Sequence, residues 1–266
     1  MTCSDPDTLA DVLSKRRGPL RALLEEPRDK RDLVAALDIP RSTLDRAIRE
    51  LEGVGLVEYD GGVYRPTLFG RTALEEHDRY RRTLSDLSGA KNVLEPLPVD
   101  SPLGREFLDG VTALASTPHA PDGIVEELMR SVRSAKRVRG VAPVALTGHT
   151  EAFREAATEN EGRLELVMTE EVFELLAETQ GESVVEAIES GTVDFYRGSI
   201  PFRFGLWMTD DEAGVAVYTG TGIRGVLLND DEQAVEWAAE LYDRVRGSAD
   251  PVDAADVRSV IRTTGE

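Results

Sequence analysis

Between Asp29 and Arg65 two short apolar-striped segments, a tight turn and a glycine-turned hairpin follow one another without a gap, and few folds accept that order. Asp29-Lys-Arg-Asp32 supplies an N-cap acid with a second acid three residues on, opening a helix whose Leu33, Val34 and Leu37 face inward. Asp38-Ile39-Pro40 turns the chain. A second helix over about 41–54 then stripes Leu44, Ala47, Ile48 and Leu51 on one side and stops at Gly53 and Gly55. Leu56–Tyr59 and Val63–Arg65 are the two strands, with Asp60-Gly61-Gly62 as the turn and Pro66 as the stop. Upstream, residues 7–26 form one or two helices interrupted near Gly18-Pro19, and downstream Thr67 caps a long helix running to about residue 90.

Helix, turn, helix and hairpin in this order define a winged helix-turn-helix, an α+β unit. If the second helix packs on its Leu44–Leu51 stripe, its other face presents Ser42, Thr43, Arg46 and Arg49 together. Arginine forks match the guanine edge and small hydroxyls bond bases or phosphates, so these residues suit a DNA major groove. Arg41 stands at the helix start, where free N–H groups favour a phosphate. Arg65 and Tyr64 are placed on the hairpin to reach the flanking backbone or minor groove. Ser42 either reads DNA or caps its own helix, with Asp45 completing the box. Any amphipathic helix has a solvated face; here local charge and the surrounding motif argue for more.

That charge is uneven. The chain carries a net −19, which by itself argues against nucleic acid. Yet residues 1–90 hold 15 Lys and Arg against 17 Asp and Glu, a net of −2, while the remaining 176 hold 16 against 33, a net of −17. Only Lys15, Lys30, Lys91 and Lys136 are lysines. Acid-rich, lysine-poor composition resembles that of salt-loving archaea, in whose cytoplasm a Debye length of about 3 Å erases long-range repulsion from DNA. An ordinary acidic enzyme has the same composition. The single cysteine, Cys3, excludes an internal disulfide, and neither an apolar run of membrane-spanning length nor a secretory leader is visible, so a cytoplasmic protein with no membrane partner is expected.

Glu95-Pro-Leu-Pro98 and Ser101-Pro102 suggest a stiff linker. The expected division is 1–66 winged helix, 67–100 dimerisation helix and linker, 101–247 α/β domain, and 248–266 flexible tail. In the α/β domain, strands at 111–115, 137–142, 163–168 and 193–196 alternate with helices at 122–134, 148–160 and 171–190. Runs at 202–209, 214–219 and 223–228 add an antiparallel meander, and the helix 231–246 closes the domain. The fold expected is a mixed sheet, part parallel βαβ and part meander.

Ligands of open α/β sheets sit at the carboxyl ends of parallel strands, which directs attention to His119 and Arg197. His119 is a ligand contact or a loop-packing imidazole between two prolines. Arg139, in an apolar strand, either pairs with an acid or binds an anionic effector. Arg203, Trp207 and Tyr218 share one face of the meander, as a pocket or a dimer interface. No Cys/His spacing fits a metal, no glycine-rich phosphate loop follows a strand, and no catalytic residue or cofactor is assigned. Phospholipase-D-like domains share the layout but need a His-x-Lys pair that neither His119 nor His149 has.

The run KRDLVAALDIPRSTLDRAIRELEGVGLVEYDGGVYRPTLFGR resembles archaeal winged-helix transcription regulators, most tellingly in RSTLDRAIRELEGVGLVE. STPHAPD, VRGVAPV and GVLLNDDEQAVEWAAELY are similar to the middle domain of the methanogenesis regulatory protein type, which accompanies such winged helices notably in halophiles. The resemblance covers roughly residues 8–246. It implies binding of double-stranded DNA through Arg41–Glu52, homodimerisation, and a sensing or assembly role for residues 100–247, with a small-molecule effector as partner. Pro40 departs from the serine usual at that turn. Two alternatives stay open: an enzyme acting through the α/β domain with the winged helix as a protein-interaction module, and an architectural protein that oligomerises without sensing.

Overall fold

A computed structural model describes residues 5–116, 123–133, 135–145, 154–155, 162–220 and 222–264. His119, His149 and most of the helix expected over 148–160 lie outside the described residues. The chain divides into two compact units, Met1–Leu84 and Ser85–Glu266.

In the first unit, α1 (Pro6–Glu25) starts on Asp5, whose carboxylate accepts from the Thr8 N–H. Pro19 has no N–H for the Lys15 carbonyl, and the helix kinks just upstream at Arg16 (φ −118°, ψ 16°). α2 (Lys30–Leu37) is capped as expected: Asp29 accepts from the N–H groups of Arg31 and Asp32 at 2.7 and 2.8 Å. Asp38 closes it in the left-handed region (φ 49°), where short polar side chains are tolerated. α3 (Arg41–Gly53) begins on Pro40 with no side-chain cap, so Ser42 does not cap it. It ends in a Schellman motif, with Leu56 N–H donating to Leu51 O at 2.9 Å, Gly55 N–H donating to Glu52 O at 3.0 Å, and Gly55 at φ +77°. Both Leu51 and Leu56 are fully buried, supplying that motif's apolar contact.

The wing is β1 (Val57–Asp60) and β2 (Val63–Pro66), antiparallel with Asp60 opposite Val63. Gly61 and Gly62 both have positive φ, 59° and 93°, which a two-residue hairpin of this type requires. Arg28 adds a backbone bridge to Tyr64 on the free edge of β2. Leu20, Leu23, Leu33, Leu44, Ile48, Leu51 and Leu56 make the core. α4 (Leu68–Leu94) starts on Thr67, whose hydroxyl accepts from the Gly70 N–H at 2.9 Å and donates to Gly55 O at 2.7 Å.

The second unit holds α5 (Arg105–Leu108), β3 (Thr112–Ala115), α6 (Gly123–Arg133), β4 (Arg137–Ala142), β5 (Arg163–Met168), α7 (Glu170–Glu189) and β6 (Val193–Arg197). Then come β7 (Phe204–Met208), β8 (Ala213–Thr219), β9 (Gly222–Asn229), α8 (Glu232–Arg246), β10 (Asp250–Val252) and α9 (Ala254–Thr264). The eight-stranded sheet has the order β10-β6-β5-β4-β7-β8-β9-β3. β4, β5 and β6 are parallel; β7, β8, β9 and β3 form the antiparallel side. This is the mixed sheet that alternating and meandering patterns imply. Each face has its own core: Val138, Leu164 and Trp207 pack with α6 and α7, while Val141, Leu206 and Val215 pack with α8, α5 and the last turns of α4. Buried Asn229 is fully satisfied: its amide donates to the carbonyls of Phe107 and Asp109, and its oxygen accepts from the Asp231 N–H.

Two expected boundaries are corrected. Residues 250–264 are not a flexible tail: β10 pairs antiparallel with β6, and α9 packs on α7 with Val257 fully buried. Gly181 permits this approach, since a side chain there would collide with Ile261. The Pro-rich segment is not a free linker either. Leu97 and Leu103 pack on the second unit's core, and the Pro102 carbonyl accepts from the Trp237 indole at 3.2 Å.

Gly70 sits where a Cβ would overlap the backbone carbonyl of Leu56. Gly70→Ala must therefore shift α4 or the wing and is expected to cost about 1–3 kcal/mol in urea unfolding of the first unit, against a neutral or slightly stabilising effect at open Gly53 of α3. Equal midpoints for the two variants would remove the close contact.

Candidate nucleic-acid interface

The buried stripe of α3, Leu44, Ala47, Ile48 and Leu51, turns its remaining face to solvent. Arg41, Ser42, Thr43, Arg46 and Arg49 are all exposed there. Arg41 and Arg49 make no ion pair among the described residues. Arg46, with 73% of its side chain exposed, donates from Nε to Glu50 Oε1 at 2.9 Å. Its terminal amino groups make no hydrogen bond among the described residues.

Two acids of α3 are tied to other helices. Asp45 pairs with Lys30 of α2 at 2.7 Å, and the hydrogen bond from Lys30 holds the Asp45 carboxyl below its ordinary range. Glu50 is gripped by Arg16 of α1, which donates from Nε to Oε2 at 2.6 Å and from Nη2 to Oε1 at 3.3 Å. The hydrogen bonds from Arg16 and then Arg46 pull the Glu50 carboxyl down to about 2. These acids are thus neutralised from beneath, leaving the guanidinium groups as the outward charge.

On the wing, Arg65 is half-buried, with Nη2 3.4 Å from Asp60 and a buried Nε that has no partner among the described residues. Tyr64 does not reach outward as expected. It is buried beneath Lys30, whose ammonium lies 5.7 Å from its ring centroid. Its cross-strand partner Tyr59, rings 4.8 Å apart, is 58% exposed and takes the outward place. Period-two alternation could have shown that the two share a face, but not which one the core covers.

Among the described residues, the expected effector contacts Arg139, Arg197, Arg203 and Tyr218 are not brought together. Arg139 lies 3.7 Å from Asp243 and over the Tyr242 ring, on the α8 side of the sheet. Arg197 pairs with Glu170 at 3.1 Å and stands over Phe173. Arg203 is exposed and precedes β7 instead of belonging to it. Of them, Tyr218 lines a cavity. That cavity, about 90 Å³ and mostly apolar, opens on the α6–α7 side over Gly140, Ala142 and Ala216, with Trp207 and Tyr218 on its walls. Gly205 and Gly214 let the Tyr218 and Trp207 rings lie against the sheet, because a Cβ at either would overlap them. Burial pushes the Tyr218 phenol up, so it is a neutral hydroxyl. Among the described residues no cluster of three His, Cys, Asp or Glu could hold a metal, and no helix is long and apolar enough to cross a membrane.

Fold and exposed face together define a winged helix-turn-helix protein joined to an α/β domain. Residues 4–87 match the family model of the HVO_A0261 N-terminal domain, and residues 121–248 that of the methanogenesis regulatory protein FilR1, middle domain. The two matches fall on separate parts of the chain and together span most of it. Among solved structures it is similar to TrmBL2, an archaeal chromatin protein with a novel mode of DNA binding, at 14% identity and a TM-score of 0.40 over 93% of this chain and 100% of that one. NucT from Helicobacter pylori (10%, 0.42, over 53% and 98%) and the phospholipase D family member Nuc from Salmonella typhimurium (13%, 0.41, over 54% and 99%) are also similar. Such low TM-scores bear on neither activity nor partner. No curated protein matches the chain significantly.

Because Glu50 is depressed in the folded state, its stabilising pairing is complete above its ordinary 4.5 and is lost as the pH falls through about 2. Urea unfolding of wild type and Glu50→Gln should therefore differ at pH 6 and converge toward pH 2. A difference that stays constant across that window would deny the pairing.

Proposed function

We propose that this protein is a sequence-specific DNA-binding transcriptional regulator that acts as a homodimer and responds to a small effector. One observation carries the DNA-binding reading: α3 holds Arg41, Ser42, Thr43, Arg46 and Arg49 in solvent on one unit that is nearly neutral within a strongly acidic chain. In this reading α3 enters the major groove, Arg46 and Arg49 read base edges, and the N–H groups at Arg41 and Ser42, freed by an uncapped helix start, meet a phosphate. Arg65 and Tyr59 of the wing touch the flanking backbone.

A second copy is expected along α4, where Phe69, Tyr80 and Leu84 are exposed at helical spacing. Pairing there would present two recognition helices and favour a pseudo-palindromic operator. On an operator selected from random DNA, Arg49→Ala should weaken binding by about 1–3 kcal/mol if it contacts a guanine, and the footprint should show two half-sites about one turn apart. Unchanged affinity in a gel shift would exclude Arg49 from the interface, and a single half-site would remove the dimer.

For the effector, the apolar cavity favours a small, largely apolar molecule with one polar atom for the Tyr218 hydroxyl. The anionic ligand that Arg139 and Arg197 suggested has less support, since both arginines are already paired. Medium-chain alcohols should raise the melting temperature and perturb Trp207 fluorescence. Tyr218→Phe should weaken them about 3- to 10-fold, the worth of one hydrogen bond. Indifference of the wild type to the whole series would leave the cavity without this role.

A further inference from the structure

Arg46 donates to a carboxylate that is itself gripped from another helix. Resting on the DNA-binding reading above, we infer that Glu50 is a positioning residue for Arg46 and that Arg16 is its anchor, so that sequence discrimination depends on the linked series Arg16–Glu50–Arg46.

The geometry is specific. Glu50 accepts from Arg16 through both oxygens, at 2.6 and 3.3 Å, a two-point grip that leaves the carboxylate little freedom. Arg16 itself has only 18% of its side chain exposed and stands at the kink of α1 imposed by Pro19, so its guanidinium is held by packing. Glu50 Oε1 then accepts from Arg46 through Nε alone, at 2.9 Å. Nε is the side of the guanidinium, and the pair of terminal amino groups that would meet guanine O6 and N7 stays free. Glu50 therefore braces the arginine without covering the atoms that read.

The charge argument runs the same way. A lone glutamate on a DNA-facing helix repels phosphate, but Glu50 sits between two guanidinium groups. The trio Arg16, Glu50 and Arg46 carries net +1. An arginine with four rotatable bonds loses side-chain freedom when it docks, and a brace removes part of that loss before binding. Only a contact that requires one orientation, namely the base edge, gains from the brace; a phosphate is met in many orientations.

The test separates bracing from simple charge. With full-length protein, gel shifts are run on the operator selected by the wild type and on the same duplex scrambled. Bracing predicts opposite signs for Glu50→Gln: operator affinity falls roughly 5- to 30-fold, while scrambled DNA binds equally or more tightly because an acid is gone. Arg16→Lys, which keeps the charge but loses the two-point grip, should lower operator affinity several-fold with scrambled binding unchanged. In the Glu50→Gln background it should add nothing, and should Glu50→Gln fail to fold, Arg16→Lys alone decides. Tighter binding of both duplexes by Glu50→Gln would make Glu50 a repulsive charge only, and equal weakening of both by either variant would make the series purely structural; each overturns the inference. A wild type that selects no sequence at all overturns the regulator reading with it, whereas a selective wild type with neutral variants overturns the bracing alone.

Discussion

Burial of Leu44, Ala47, Ile48 and Leu51 decides where every polar group of α3 can go. Each is essentially inaccessible, Leu44, Ile48 and Leu51 pack among Leu20, Leu23 and Leu33, and moving them into water would cost more than any surface ion pair returns. The helix therefore has one allowed rotation. Arg41, Arg46 and Arg49 are outward because of that apolar seam, independently of any bond they make.

The same seam governs the acids. Asp45 and Glu50 lie at its borders, within reach of the neighbouring helices, and there Lys30 and Arg16 meet them. Cross-helix pairing thus does two things at once: it ties α1 and α2 to α3, and it takes the two acids out of the outward field. In the second unit the arginines fare differently. Arg139, Arg163 and Arg197 are all met by acids, as expected where 34 acidic residues surround 16 basic ones, and a mostly apolar cavity is one of the concave features there.

Much of this was legible in one dimension. Period 3.6 in Leu44–Leu51, glycine pairs at a hairpin and an N-cap acid are local signals, and each element they mark lies within a residue or two of its expected place. Contacts between distant residues were not. Arg16 and Glu50 are 34 positions apart, and nothing near either of them announces the other. α9 escaped notice because its helix is amphipathic but short, and its docking is signalled only by Gly181, a mid-helix glycine in α7 some 80 residues upstream whose missing side chain makes room for Ile261.

Sequence by itself determined the element order, the outward face of α3, the mixed sheet and the charge contrast between the two parts of the chain, because periodicity, turn chemistry and composition act over a few residues. Tertiary structure alone decided that Tyr59 and not Tyr64 stands outside, that Arg139 and Arg197 are spent on acids, and that Glu50 joins two arginines from different helices. Those outcomes depend on which groups the fold brings into contact with each other, and no local pattern encodes such a meeting.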